Sequence, residues 1–113
     1  MVVMQAVESL VGLATSGTDE CKRYACQALG NLACYDEGNQ MAIELAGAVE
    51  PLVSLLRSGT AANKQAAAEA LEDLALDNHN NQWAIAQAGA VDPLVALLKN
   101  GTDSGKEAAA GLL

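Results

Sequence analysis

Carboxylate side chains cluster in one stretch of the chain, where they could bind basic groups or act as general acids and bases. The cluster comprises Glu69, Glu72, Asp73 and Asp77, and spacings of three and four place them along one side of a helix. Residues 65–98 contain no Lys or Arg. We expect an acidic patch that selects Lys or Arg in a partner peptide, and the alternative is a solvated helix face without a ligand. Acid–base catalysis would need a hydrophobic pocket that raises one carboxyl pKa, and no such pocket is evident.

Cysteine and histidine are the other groups that could do chemistry. The chain has three cysteines, Cys21, Cys26 and Cys34, and a single histidine, His79. The spacing C-x4-C-x7-C matches no zinc signature, and three cysteines in one stretch do not indicate a disulfide framework. We therefore expect cysteines that pack in a helix, in a cytoplasmic or nucleocytoplasmic and hence reducing compartment. The sequence predicts no catalytic residue, no metal site, no cofactor and no enzyme.

These residues lie on a chain that repeats itself every 42 residues without insertion or deletion. The segment AVESLVGLATSGT at 6–18 recurs as AVEPLVSLLRSGT at 48–60 and as AVDPLVALLKNGT at 90–102. Units of about 20 to 50 residues that recur in fixed register cannot bury their apolar face alone, so they stack into a solenoid. We divide the single domain, 1–113, into a partial repeat at 1–38, a full repeat at 39–80 and a partial repeat at 81–113.

Composition favours an all-α fold and excludes some partners. Hydrophobic residues make up 51% of the chain, with no Phe and one Trp, and this mixture of Ala and Leu suits closely packed helices better than a sheet. The net charge of −8 argues against nucleic acid, because phosphate binding needs clustered Lys and Arg. No apolar run approaches the roughly 18 residues of a membrane span.

The middle copy predicts a short helix followed by a second helix. Asn39 is a candidate N-cap for a helix over 40–45, which stops near Gly47 because glycine adopts the left-handed conformation easily. The second helix starts near Pro51, since proline is well placed in a first turn.

A third, longer helix completes the copy. Gly59 is predicted to close the second helix as its C′ residue, and Thr60 is a candidate N-cap for a helix over 61–76. Each unit of 42 residues therefore contains three helices.

This layout resembles the armadillo repeat. The string IELAGAVEPLVSLL, its sister IAQAGAVDPLVALL and the segment ALGNLA at 28–33 match the family pattern, and the resemblance covers the entire chain. It implies a right-handed superhelix and a groove, lined by the third helices, that binds extended peptide segments.

The resemblance also implies which residues line the groove. Asn31 matches the asparagine that hydrogen-bonds the backbone of a bound peptide in this family, and Asp73 takes its place in the next copy. Asp73 can accept hydrogen bonds but cannot donate them. Nuclear-import adaptors of this family carry Trp where this chain has Gln27 and Glu69, so we expect a general interaction module. The predicted groove residues are Tyr24, Gln27, Asn31, Glu69, Glu72 and Asp73.

Apolar residues are expected on both end faces of the array. Val3, Val7 and Leu10 begin the chain and Leu112 and Leu113 end it, and neither end has the polar face of a capping repeat. We expect a homo-oligomer or part of a longer array. The leading prediction is a protein-interaction module that binds an extended, basic, Lys/Arg-containing peptide. The alternative is a structural fragment of a longer armadillo array that self-associates through these ends.

Overall fold

The computed structural model describes residues 4–113, and within that range the chain forms eight α-helices and no strand. Their bounds are α1 Met4–Ser16, α2 Asp19–Ala33, α3 Glu37–Leu45, α4 Val49–Ser58, α5 Ala61–Ala75, α6 His79–Gln87, α7 Val91–Asn100 and α8 Asp103–Leu112. The middle and last repeats each contain three helices, and the first contributes two. The predicted all-α solenoid with three helices per repeat is therefore confirmed. Residue Val3 lies outside the described residues.

Three rows of helices run through the array. The second helices α1, α4 and α7 form one row, and each packs against the third helix of its own repeat. The third helices form another row, in which α2 contacts α5 and α5 contacts α8. The short helices α3 and α6 form the last row. Buried apolar side chains from all the repeats join one continuous core.

A threonine caps the N-terminus of the third helix in each repeat, as predicted for Thr60. The Thr60 hydroxyl oxygen accepts a hydrogen bond from the backbone N–H of Asn63 at 3.1 Å, and Thr18 and Thr102 cap α2 and α8 in the same register. Each cap satisfies one of the backbone donors that a helix leaves free in its first turn.

Glycine corners end the short helices. Gly47 and Gly89 have φ values of 82° and 85°, a left-handed conformation that glycine adopts without a side-chain clash. The prediction for Gly47 is confirmed. The first copy has Gln5 at this register, and α1 runs through that position from Met4.

Gly59 closes α4, as predicted, but as its C-cap residue rather than as C′. Its φ of −75° and ψ of 173° are extended, a conformation open to any residue. Space, rather than φ, requires glycine here, because a Cβ atom would lie 2.6 Å from the Leu55 carbonyl oxygen. The tight connection between the second and third helices therefore requires a residue without a side chain.

The prediction that Asn39 caps α3 is wrong. The helix begins at Glu37, and Asp36 Oδ1 accepts the hydrogen bond from the Asn39 N–H at 2.9 Å. A capping side chain accepts from the backbone N–H two or three residues after it, and Asp36 lies three residues before Asn39. The Asn39 side-chain amide instead donates to the Leu32 carbonyl at 2.9 Å and ties α3 to the end of α2.

Cys26 is fully buried in the core, as expected for a cysteine that takes the place of an alanine in a helix. Burial raises the pKa of its thiol to about 11, because desolvation disfavours the thiolate. Cys21 and Cys34 are exposed, and none of the three cysteines forms a disulfide. Cys26 is thus a small apolar side chain rather than a nucleophile.

Candidate functional site

The third helices approach one another closely because small residues lie between them. A Cβ atom added to Gly30 of α2 would lie 3.3 Å from Ala70 Cα and 3.0 Å from Asp73 Oδ2, both on α5. This close packing brings the polar side chains of the two helices to the edges of one cleft.

The cleft between α2 and α5 has a volume of about 250 Å³. Gln27 and Asn31 line it from α2, and Glu69 and Asp73 line it from α5. The remaining lining residues are small, namely Cys26, Gly30, Ala66 and Ala70. The structure thus brings together four of the six predicted groove residues, two amides and two carboxylates.

Tyr24 and Glu72 lie outside the lining of this cleft. The Tyr24 ring is 54% exposed, and the Arg23 guanidinium stands 4.8 Å from the ring centre, within the range of a cation–π contact. The Glu72 carboxylate lies so close to Gly111 of α8 that a side chain at Gly111 would collide with it. Glu72 therefore belongs to the junction between α5 and α8.

Electrostatic repulsion and burial act on the carboxylates of α5. Burial raises the pKa of Asp73 above its usual value and the Glu69 charge raises it further, whereas a hydrogen bond from the Cys34 side chain lowers it. The pKa of Glu72 is also raised, first by burial and then by the charges of Asp73, Glu69 and Glu107. A bound ammonium or guanidinium group would relieve this repulsion.

Two contributors to the cleft were not predicted from the sequence. Cys34 touches Asp73 although it belongs to the preceding repeat, and Gly30 opens the space into which Asp73 extends. Gly30 is equivalent to Glu72 in the next repeat, so the repeat pattern does not indicate that glycine is needed at this position. The only signal is the unusual size difference between these two equivalent positions.

Other chemistry finds little support in residues 4–113. No group of three or more His, Cys, Asp or Glu side chains in that range could hold a metal ion. His79 is exposed in the first turn of α6. None of the helices described is long and apolar enough to cross a membrane.

The stacked three-helix units and the continuous row of third helices define an α-solenoid repeat protein. The family model for the Armadillo/beta-catenin-like repeat matches residues 78–113. The repeats are similar to armadillo repeats, as the sequence resemblance predicted. No curated protein matches the chain.

Solved structures of engineered proteins share this fold. An engineered protein from a structural genomics consortium is 36% identical, with a TM-score of 0.89 over 95% of this chain and 43% of its own. A designed armadillo repeat protein in complex with the peptide (KR)4 is 28% identical, with a TM-score of 0.88 over 96% of this chain and 45% of its own. Computationally designed armadillo repeat proteins for modular peptide recognition match at 28% identity and a TM-score of 0.87, over 96% of this chain and 45% of theirs. The chain spans less than half the length of these relatives.

Proposed function

We propose that this protein-binding repeat module holds an extended basic peptide in the cleft between α2 and α5. The observation that carries the proposal is the juxtaposition of the Glu69 and Asp73 carboxylates with the Gln27 and Asn31 amides. The similarity to a designed armadillo protein that was solved with (KR)4 supports the same choice of ligand.

The two kinds of side chain suit two parts of a peptide. The Asn31 amide can donate to a backbone carbonyl and accept from a backbone N–H, which holds an extended chain in register. Asp73 and Glu69 can accept charge-assisted hydrogen bonds from Lys or Arg side chains. The small residues of the cleft let the peptide approach the helices.

The affinity of a single chain should be modest. Three third helices offer two junctions, and the junction between α5 and α8 carries Gly111 where the cleft between α2 and α5 has Glu69. A small number of contacts must then offset the entropy that the peptide loses on binding. A longer array would bind more tightly because its sites act together.

Fluorescence polarisation with labelled (KR)4 tests the proposal against an acidic peptide of the same length. We expect binding of (KR)4 that weakens with salt, and no binding of the acidic peptide. The double variant Glu69→Gln with Asp73→Asn should raise Kd about fivefold, since exposed ion pairs contribute about 0.2 to 1 kcal/mol each. Acidification through the raised pKa of Asp73 should also weaken binding, because it neutralises the carboxylate.

A matched control separates the cleft from the overall charge. Glu8→Gln with Glu44→Gln removes the same two charges elsewhere on the chain and should leave Kd unchanged. An equal loss of affinity in both double variants, or equal binding of the acidic peptide, would rule out recognition by the cleft.

A second candidate function is structural, in which the chain stacks on other armadillo units. Exposed apolar side chains at both ends of the array favour it, including Leu13 at 44% and Val91 at 48% exposure.

A further inference from the structure

The second helices α1, α4 and α7 have apolar side chains at equivalent positions, but the exposure of these side chains depends on which neighbouring repeat is present. Val7, Val49 and Val91 are equivalent, and their exposed fractions are 0%, 8% and 48%. The first two have a following repeat, and Val91 has none within the described chain. This register position therefore packs toward the following repeat. The expectation that Val7 lies on an exposed end face is wrong for the same reason.

A neighbouring register position shows the opposite gradient. Leu13 is 44% exposed, whereas its equivalents Leu55 and Leu97 are each 6% exposed. Leu55 lies in a crevice with Ala14 of the preceding repeat, so this position packs backward. The described chain thus has two open faces, each equivalent to one side of its internal junctions.

We name these two surfaces by the residues that form them. The leading face comprises Leu10, Leu13 and Tyr24, at the side of α1 and α2 that no other repeat within residues 4–113 covers. The trailing face comprises Val91, Val95, Ala110 and Leu113, at the corresponding side of α7 and α8. Leu10 and Leu112 are half-buried, and Leu112 lines a small apolar cleft with Val91 and Leu113 on the trailing face.

The two faces also fit each other in side-chain size. Tyr24 stands where the later repeats have the buried residues Ala66 and Ala108. Ala66 shares its cleft with Cys26 and Gln27, whose equivalents on α8 are Ala110 and Gly111. If the leading face of one copy packed on the trailing face of another, the Tyr24 ring would therefore lie against the small residues Ala110 and Gly111.

We propose that the leading face of one copy of this chain packs on the trailing face of a second copy, head to tail. The contact repeats the geometry by which repeats pack within the chain, so it is continuous with an existing interface. It is heterologous and leaves an open face at each end of the assembly, unlike a two-fold dimer. The proposal is independent of the peptide-binding cleft, because Leu13 and Val95 do not line it.

Two single variants distinguish this arrangement from every symmetric one. Leu13→Lys blocks the leading face, and Val95→Lys, at a side chain that is 37% exposed, blocks the trailing face. Sedimentation velocity should show that the unmodified chain gains mass as its concentration rises to the millimolar range. Each variant alone should stay monomeric. An equimolar mixture of the two should form a one-to-one dimer, with about a twofold rise in mass, because each supplies the face that the other lacks.

Controls keep the result interpretable. Trp83→Lys removes a large apolar side chain that is 67% exposed on α6, and should associate like the unmodified chain, because the equivalent Met41 stays 56% exposed although a repeat follows it. Circular dichroism melts establish that the lysine variants are folded before they are mixed. A monomer at every concentration, self-association of either variant alone, or a mixture that stays monomeric would each overturn the proposal. Loss of association in Trp83→Lys would do so as well.

Discussion

At the scale of single residues, the neighbouring repeat decides what a repeated register position does. Gln40 is 3% exposed, and its amide donates to the carbonyls of Asp73 at 2.9 Å and Leu76 at 3.2 Å. Its Oε1 accepts a hydrogen bond from the Asn78 side chain at 3.0 Å. The equivalent Gln82 is exposed and donates to the Ala75 carbonyl at 2.9 Å. The glutamine of α3 therefore binds the end of α5 within its own repeat, whereas the glutamine of α6 binds the end of α5 in the preceding repeat.

Gln40→Ala should lower the free energy of unfolding by about 2 to 3 kcal/mol, because it removes three hydrogen bonds made by a buried side chain. Gln82→Ala should cost less than about 1 kcal/mol, since water can replace an exposed hydrogen bond. Urea denaturation of the two variants measures the difference. Equal costs would contradict the idea that burial makes the Gln40 hydrogen bonds the more important ones.

At the scale of elements, the two glycine corners differ in what surrounds them. A Cβ atom added at Gly47 would have no neighbouring atom within 4 Å, so a side chain there would meet open space. Beside Gly89 lies Arg57, whose Nη2 donates to the Ala88 carbonyl at 2.9 Å and the Gly89 carbonyl at 3.3 Å. Arg57 thus caps the end of α6 from the preceding repeat, with a charge that favours a helix C-terminus.

Gly47→Ala should destabilise the fold by about 1 kcal/mol, which is the cost of a left-handed conformation for a residue with a side chain. Gly89→Ala should cost about 2 kcal/mol, because the new methyl group would also displace Arg57 from its hydrogen bonds. Thermal or urea unfolding provides the comparison. In an Arg57→Ala background the two costs should become equal, and a persistent difference would show that Arg57 is not its source.

At the scale of the whole molecule, the middle repeat is the best protected. All five apolar residues of α4 are buried, whereas α1 exposes Leu13 and α7 exposes Val91 and Val95. Stability in a repeat array comes from the units and from their junctions, so a unit with two junctions is harder to open than a unit with one. The glycines of α8 weaken the last helix further.

Hydrogen exchange should therefore be slowest in α5 and faster in α1 and α8. Mass spectrometry of peptic fragments measures the order, at a protein concentration low enough to keep the chain monomeric. Exchange in α8 as slow as in α5 would show that the array opens only as a whole. At high concentration, head-to-tail packing should slow exchange in α1 and α8 and leave α5 unchanged.

The sequence by itself determined the architecture. The period of 42 residues, the Thr60 cap and the Gly47 corner each rest on local rules, because capping and left-handed turns depend on residues within a few positions of one another. The helix boundaries follow less directly from such rules, and α3 begins at Glu37 because Asp36 is the residue that caps it, through the N–H of Asn39. The resemblance to the armadillo repeat rests on the same repeated motifs.

Only the tertiary structure decided which of the equivalent residues is buried, and which reach the cleft. Val7 and Val91 share a register and nearly the same local sequence, yet one is buried and the other is exposed. Glu72 was predicted to line the groove with Asp73, but it turns toward Gly111, a neighbour that lies 39 positions later in the chain. A repeat pattern specifies each unit alone, whereas burial and side-chain direction depend on the units beside it.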